Sequence, residues 1–154
     1  MEISDLLALR GVISQLRTPS KKQALAELAK RAASVSGTEE RAIYDLVMER
    51  ERLGTTGIGM GIAIPHARVP GLARLYGVFA RLEKPIEFEA IDDQPVDLIF
   101  LLLAPEGAGA DHLKALALVS RLLRDRAVCE KLRGTDKPDA LYALLTDRTA
   151  THAA

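Results

Sequence analysis

The sequence predicts a single α/β domain, a three-layer α/β/α arrangement in which a small mixed β-sheet is flanked by helices. Three observations predict it. Residues 96–104, VDLIFLLLA, are almost wholly apolar, the pattern of a strand covered on both faces and so of helices in more than one layer. Apolar residues recur at helical spacing in three separate stretches, near 20–33, 38–53 and 112–124. The 154 residues are enough for one domain with a real core and too few for two ordinary ones.

Met1 to Pro19 is loosely patterned. Ile3, Leu6, Leu7 and Leu9 suggest a turn of helix, and Val12, Ile13 and Leu16 a short edge strand. Ser20 followed by Gln23 is a capping box, and Ala24, Leu25, Leu28, Ala29 and Ala32 predict a helix to about Ala33, ended by Ser34 to Gly37. Thr38 starts a second helix, with Glu39 and Glu40 complementing the dipole of its first turn. Its inward stripe is Ile43, Leu46 and Val47, the next position on that stripe is Arg50, and Gly54 ends it. The stretch from Gly54 to His66, GTTGIGMGIAIPH, holds Gly54, Gly57, Gly59 and Gly61, then Ile62, Ala63 and Ile64, then Pro65. That order predicts a pliable loop, a short strand and a stiff stop that presents His66.

Arg68 to Arg74, with Pro70 and Gly71, reads as a loop and Tyr76 to Leu82 as a strand. Ile86, Phe88 and Ala90 alternate with Glu87 and Glu89, and the following AIDDQP is a turn that leads into the buried strand. Pro105 to Ala110 is a small-residue loop, and Asp111 is placed to N-cap a helix from His112 to about Arg124. There Leu113, Leu116, Ala117, Val119, Leu122 and Leu123 are apolar and Lys114, Arg121 and Arg124 make one narrow polar stripe, so most of that helix should be buried. Asp125 caps a short helix through Leu132, Gly134 stops it, and Pro138 to Leu145 makes the last one. The domain is expected to span 1–148, with 149–154 as a frayed polar tail.

Composition narrows the function. Lysine plus arginine equals aspartate plus glutamate at 21 each, without the basic surplus of a protein that neutralises nucleic-acid phosphates. With three Tyr, three Phe and no Trp, the core must be aliphatic. Cys129 is the only cysteine, which excludes an internal disulfide or a cysteine-based metal cluster and leaves packing as its role. No basic segment leads into an apolar run at the N-terminus, and the longest apolar stretch, Leu98 to Ala104, is too short to cross a bilayer. A cytoplasmic protein with no membrane insertion is expected.

Three side chains attract a chemical reading beside a plainer one. His66 suits a nucleophile, base or metal ligand, or is a turn residue satisfied by a backbone carbonyl. Arg50 has the fork of donors that suits phosphate, or snorkels at a helix C-terminus where a cation is favoured anyway. His112, expected at the first position of its helix, would stay neutral and donate a hydrogen bond, or is an ordinary exposed first-turn histidine. His152 lies in the tail and is assigned nothing.

The run Gly57 to His66, GIGMGIAIPH, closely resembles the active-site segment of the enzyme IIA proteins of the bacterial phosphotransferase system, in their fructose, mannitol and nitrogen-regulatory branch. RERLG before it, AIDDQPVDLIFLLLAPE through the buried strand and HLKALALVSRLL in the long helix match the same pattern; Met60 and Ala67 depart from it. The resemblance implies that His66 takes a phosphoryl group, that His112 is the second active-site histidine and that Arg50 stands beside them. It implies an HPr-like phosphocarrier as donor and, downstream, regulatory target proteins or the cysteine of a separate IIB protein, with no cofactor and no metal. GIGxGIAIPH and AIDDQPVDL resemble the stand-alone nitrogen-regulatory enzyme IIA more than the sugar-specific ones. The amides of Gly57, Gly59 and Gly61 are expected to help stabilise phosphoryl charge, and Ile58, Met60, Val69 and Leu72 to form the core of the donor-docking face, unless that loop is tucked onto its own core. The rival readings are a sugar-transport enzyme IIA that passes phosphate to the cysteine of a separate IIB protein, a binding module whose histidine is retained only as a sensor or is inert, and a metal hydrolase using His66 and His112; for the last no carboxylate or third histidine has a metal-site spacing.

Overall fold

The computed structural model describes residues 1–147, so the tail from 149 onward, with His152, lies outside the described residues. Its central element is β6 (Val96–Pro105), and the two faces of that strand feed two cores. Side chains alternate across a strand, so Ile99, Leu101 and Leu103 enter one apolar cluster while Leu98, Phe100 and Leu102 enter the other. Truncating Phe100, fully buried, to alanine would cost about 3–5 kcal/mol.

On one face lie α2 (Lys21–Ser36) and α3 (Glu40–Leu53), which contribute Leu25, Leu28, Ile43 and Val47 to the first cluster. On the other lie α1 (Ile3–Leu6), α4 (Ala110–Arg124), α5 (Arg126–Arg133) and α6 (Pro138–Leu145), which contribute Leu6, Val119, Leu122, Leu132 and Leu141 to the second. Between them β1 (Val12–Leu16), β2 (Gly57–Gly59), β3 (Ile62–Ala63), β4 (His66–Val69), β5 (Tyr76–Ile86) and β6 form one mixed sheet. The strand order is β1-β5-β6-β3-β2, with β4 also paired to β6. β1 runs parallel to β5, β3 and β4 parallel to β6, and the β5/β6 and β2/β3 pairs are antiparallel. This is the predicted three-layer α/β/α class. Among the described residues no helix is long and apolar enough to cross a membrane.

Several elements differ from expectation, each for a local reason. The glycine stretch is a tight hairpin, β2 against β3, turning on Met60 (φ 59) and Gly61 (φ 81); two consecutive positive φ values are those of a type I′ turn. Arg68 and Val69 belong to β4, not to a loop, because their backbone pairs with Ala104 and Pro105 of β6. β5 runs unbroken to Ile86, and Phe88 and Ala90 remain buried beyond it. The long helix begins at Ala110, after Gly109 at φ 49, so Asp111 is not its N-cap: its own N–H already bonds back to Ala108 O at 3.0 Å. His112 is therefore the third helical residue instead of the first, and it is buried. Only one face of this helix meets the sheet, so Leu113, expected inside, is 68% exposed. Ser20 and Asp125 do cap their helices, accepting from Gln23 N and from Ala127 N and Val128 N. Cys129 is buried, with Sγ 3.2 Å from Leu123 O.

Candidate functional site

β4 pairs only with β6 among the described residues, so its other edge is open to both helical layers. A groove of about 380 Å³ follows that edge. Its walls are Leu46, Glu49, Arg50 and Leu53 from the end of α3, then His66, Ala67 and Arg68 of β4, then His112 near the start of α4. Residues far apart in sequence meet here because α3 packs on one face of the sheet and α4 on the other.

His66 opens β4, opposite Leu102 of β6. Its Nδ1 lies 2.9 Å from Ile64 O. A carbonyl can only accept, so Nδ1 carries the proton and, in the neutral ring, Nε2 keeps its lone pair. Alternation along β4 then turns Ala67 and Val69 into the core and leaves Arg68 exposed on the same side as His66. The His66 and His112 rings approach edge to face with centroids 5.7 Å apart. Arg68 Nε donates to His112 Nδ1 at 3.4 Å, which assigns the His112 proton to Nε2. That buried Nε2 has no hydrogen-bond partner among the described residues, an arrangement that costs about 1–3 kcal/mol unless something else accepts.

Both rings are held neutral near pH 7. Burial pushes the pKa of His66 below its ordinary value and the nearby Arg50 adds to that, against the Ile64 hydrogen bond and the Glu51 carboxylate, which pull it up. For His112, burial comes first, then His66, then Arg68, all lowering.

Arg50 combines its two readings: Nη1 donates to Gly54 O at 3.0 Å, closing the end of α3, and the side chain lines the groove. Glu51, the next residue, was not singled out from sequence. It is buried, with Lys21 Nζ at 3.0 Å, and it accepts from both the N–H and the hydroxyl of Thr56. Thr56 O in turn accepts from Ile64 N at 3.0 Å. A chain of hydrogen bonds thus runs from a buried ion pair through Thr56 and Ile64 to the His66 ring.

The structure does not bring Gly57, Gly59 and Gly61 to this groove. Ile62 faces Leu98 and His66 faces Leu102 on the same strand, a separation of about 13 Å at strand rise, and the hairpin tip is farther still. These glycines serve packing: a Cβ on Gly57 would sit 2.8 Å from the Ala90 backbone, and one on Gly61 would sit 2.6 Å from Arg133 Nη2. The expected docking residues also divide. Val69 and Leu72 are buried in the core, while Ile58 and Met60 line a different pocket. The exposed apolar side chain at the histidines is instead Leu53, 83% exposed at the groove; Leu113 follows His112 in sequence and is also exposed. Arg68 and Leu53 were missed, yet an i, i+2 reading of HARV as a strand would have set Arg68 beside His66.

Residues 5–148 match the sequence family described as "Phosphoenolpyruvate-dependent sugar phosphotransferase system, EIIA 2". The chain is 54% identical over 153 residues to a nitrogen regulatory protein of Bradyrhizobium diazoefficiens, covering 99% of this chain and 100% of that one. Its fold matches the crystal structure of the nitrogen regulatory protein IIA-Ntr from Neisseria meningitidis, with TM-score 0.88 and 33% identity over 94% of this chain and 99% of that one. It also matches the mannitol enzyme IIA of Escherichia coli, solved in complex with phosphorylated enzyme IIB, with TM-score 0.77 over 93% of this chain and 100% of that one. At 20% identity the likeness to this last protein concerns the fold alone.

Proposed function

Since the chain belongs to the EIIA 2 family of the phosphoenolpyruvate-dependent sugar phosphotransferase system, we propose that His66 accepts a phosphoryl group from an HPr-like phosphocarrier and that the protein then acts chiefly as a regulator by contact with target proteins. One observation carries the reading: the Ile64 carbonyl holds the His66 proton on Nδ1, which leaves the Nε2 lone pair free beside a second neutral histidine and two arginines.

Phosphoryl transfer from a phosphohistidine donor forms a P–N bond at His66 Nε2 as the donor's P–N bond breaks, and the donor nitrogen leaves with the electron pair. Attack makes the His66 ring imidazolium-like, and the Ile64 carbonyl, already accepting from Nδ1–H, stabilises that charge. Charge on the equatorial phosphoryl oxygens is met by the guanidinium groups of Arg50 and Arg68, with the neutral His112 ring packed edge to face against His66. Leu53, with Arg50 and Arg68 around it in the groove, is the apolar centre of the face on which the donor docks. The reading puts the relay in the cytoplasm, where the carrier would reach it. The relatives named as nitrogen regulatory proteins support the regulatory branch.

The test is incubation of the purified protein with the phosphocarrier, the first enzyme of the relay and phosphoenolpyruvate. An acid-labile phosphate is expected on the parent chain and none on His66→Ala. Equal labelling of the two proteins, or none on either, would sink the reading.

A further inference from the structure

A second concave site lies away from the histidines, between the β2–β3 hairpin and α5, and shares no lining residue with the His66 groove. Its volume is about 580 Å³, within the roughly 300–1,000 Å³ typical of small-molecule sites. The floor is apolar: Ile62, Leu123 and Cys129 are buried there and Ile58 is half-buried. One wall is fixed by Arg133, whose Nε and Nη2 bond the Asp97 carboxylate at 2.9 Å while Nη2 also donates to Met60 O at 2.9 Å. The hairpin is thereby fastened to α5, so the site needs no closure to form.

The rim is cationic. Arg133 is neutralised by Asp97, but neither Arg124 nor Arg126 has a carboxylate within ion-pair distance among the described residues. The contact of Arg126 is a weak one, Nη2 to Met60 Sδ at 3.9 Å. Two guanidinium groups therefore face one rim carboxylate, Glu130. The first free amides of α5, at Ala127 and Val128, are already taken by Asp125 Oδ1, so an anion here would be met by the arginine forks.

We propose that this pocket binds a small amphipathic anion, a carboxylate on an apolar body of about ten carbons by the size of the site, with its head group on Arg124 and Arg126 and its body on Ile62, Leu123 and Cys129. The inference does not depend on phosphoryl chemistry at His66. Its test is titration of the full-length ¹⁵N-labelled protein with decanoate and with naphthalene-2-carboxylate below micelle-forming concentrations, with decanol and decyltrimethylammonium as neutral and cationic controls. Saturable amide shifts are expected at residues 58–62 and 123–133, and the Arg124→Gln/Arg126→Gln double variant should weaken binding at least about tenfold, the equivalent of 1.4 kcal/mol. Phosphorylation of His66 should be unchanged in that variant. Failure of both carboxylates to give saturable shifts, shifts centred elsewhere, or equal affinity for decanol or for the double variant would each overturn the proposal.

Discussion

Gly61→Ala separates two roles for the glycine-rich stretch. Gly61 has φ +81, and an added Cβ would meet Arg133 Nη2 at 2.6 Å and Asp97 Oδ1 at 2.9 Å. Holding an L-residue in the left-handed region costs about 1–2 kcal/mol. Displacing Arg133 puts at risk a bidentate pair that is partly solvent-screened, worth about 1 kcal/mol. The loss of about 2–3 kcal/mol should lower the melting temperature by roughly 4–12 °C in a domain of this size. Circular dichroism melts measure that shift, and single-turnover transfer from the phosphorylated carrier, below the melt, measures chemistry. Because the hairpin tip is more than about 13 Å from His66, the transfer rate should stay within about twofold of the parent, which is about 0.4 kcal/mol in the barrier. A collapsed rate with an unchanged melting temperature would refute this reasoning and restore the glycines as phosphoryl ligands.

Arg50→Ala should slow transfer by about 30- to 1,000-fold, since one charged donor to a developing phosphoryl charge is worth about 2–4 kcal/mol; an unchanged rate with lower stability would make Arg50 only a cap for Gly54. Attack requires unprotonated Nε2, and the pKa of His66 is lowered by burial and by Arg50. The rate should therefore hold as pH falls through the ordinary histidine value, about 6.5, and drop only at the lower folded pKa; in Arg50→Ala the midpoint should move upward. Folding stability has the same sign: below about pH 6.5 the unfolded chain binds protons that the folded histidines refuse, so stability is lost there as pH falls, and urea unfolding against pH measures it. Glu51→Gln, which takes away the buried partner of Lys21 and leaves it only the exposed Glu89 carboxylate at 3.9 Å, should cost about 1–3 kcal/mol in urea unfolding and mix the His66 tautomers, visible in ring ¹⁵N shifts; a single retained tautomer would break the proposed link through Thr56 and Ile64. His112→Ala should leave phosphate uptake partly intact and impair onward transfer, which separate rate measurements of the two steps would resolve.

Much of the architecture follows from periodicity that short stretches of chain already carry. Residues 96–104 form a strand covered on both faces because no polar side chain interrupts them after Asp97, and α2, α5 and α6 sit between signals that act within a few residues, Ser20, Asp125, Pro138 and Gly134. The motif likewise singled out His66, His112 and Arg50, which share one groove. Direction and exposure were beyond such signals. HARV is four residues long and precedes Pro70, so nothing local separates strand from loop; pairing with β6 made it a strand, buried Val69 and turned Arg68 toward His112. Leu53 and Leu113 lie at core-like spacings, yet each is exposed because, among the described residues, no element covers that part of its helix. A side chain's own chemistry suggests which reactions it suits, but whether it faces a partner, the core or water depends on which surfaces the sheet edge leaves uncovered. That is set by contacts between residues tens of positions apart.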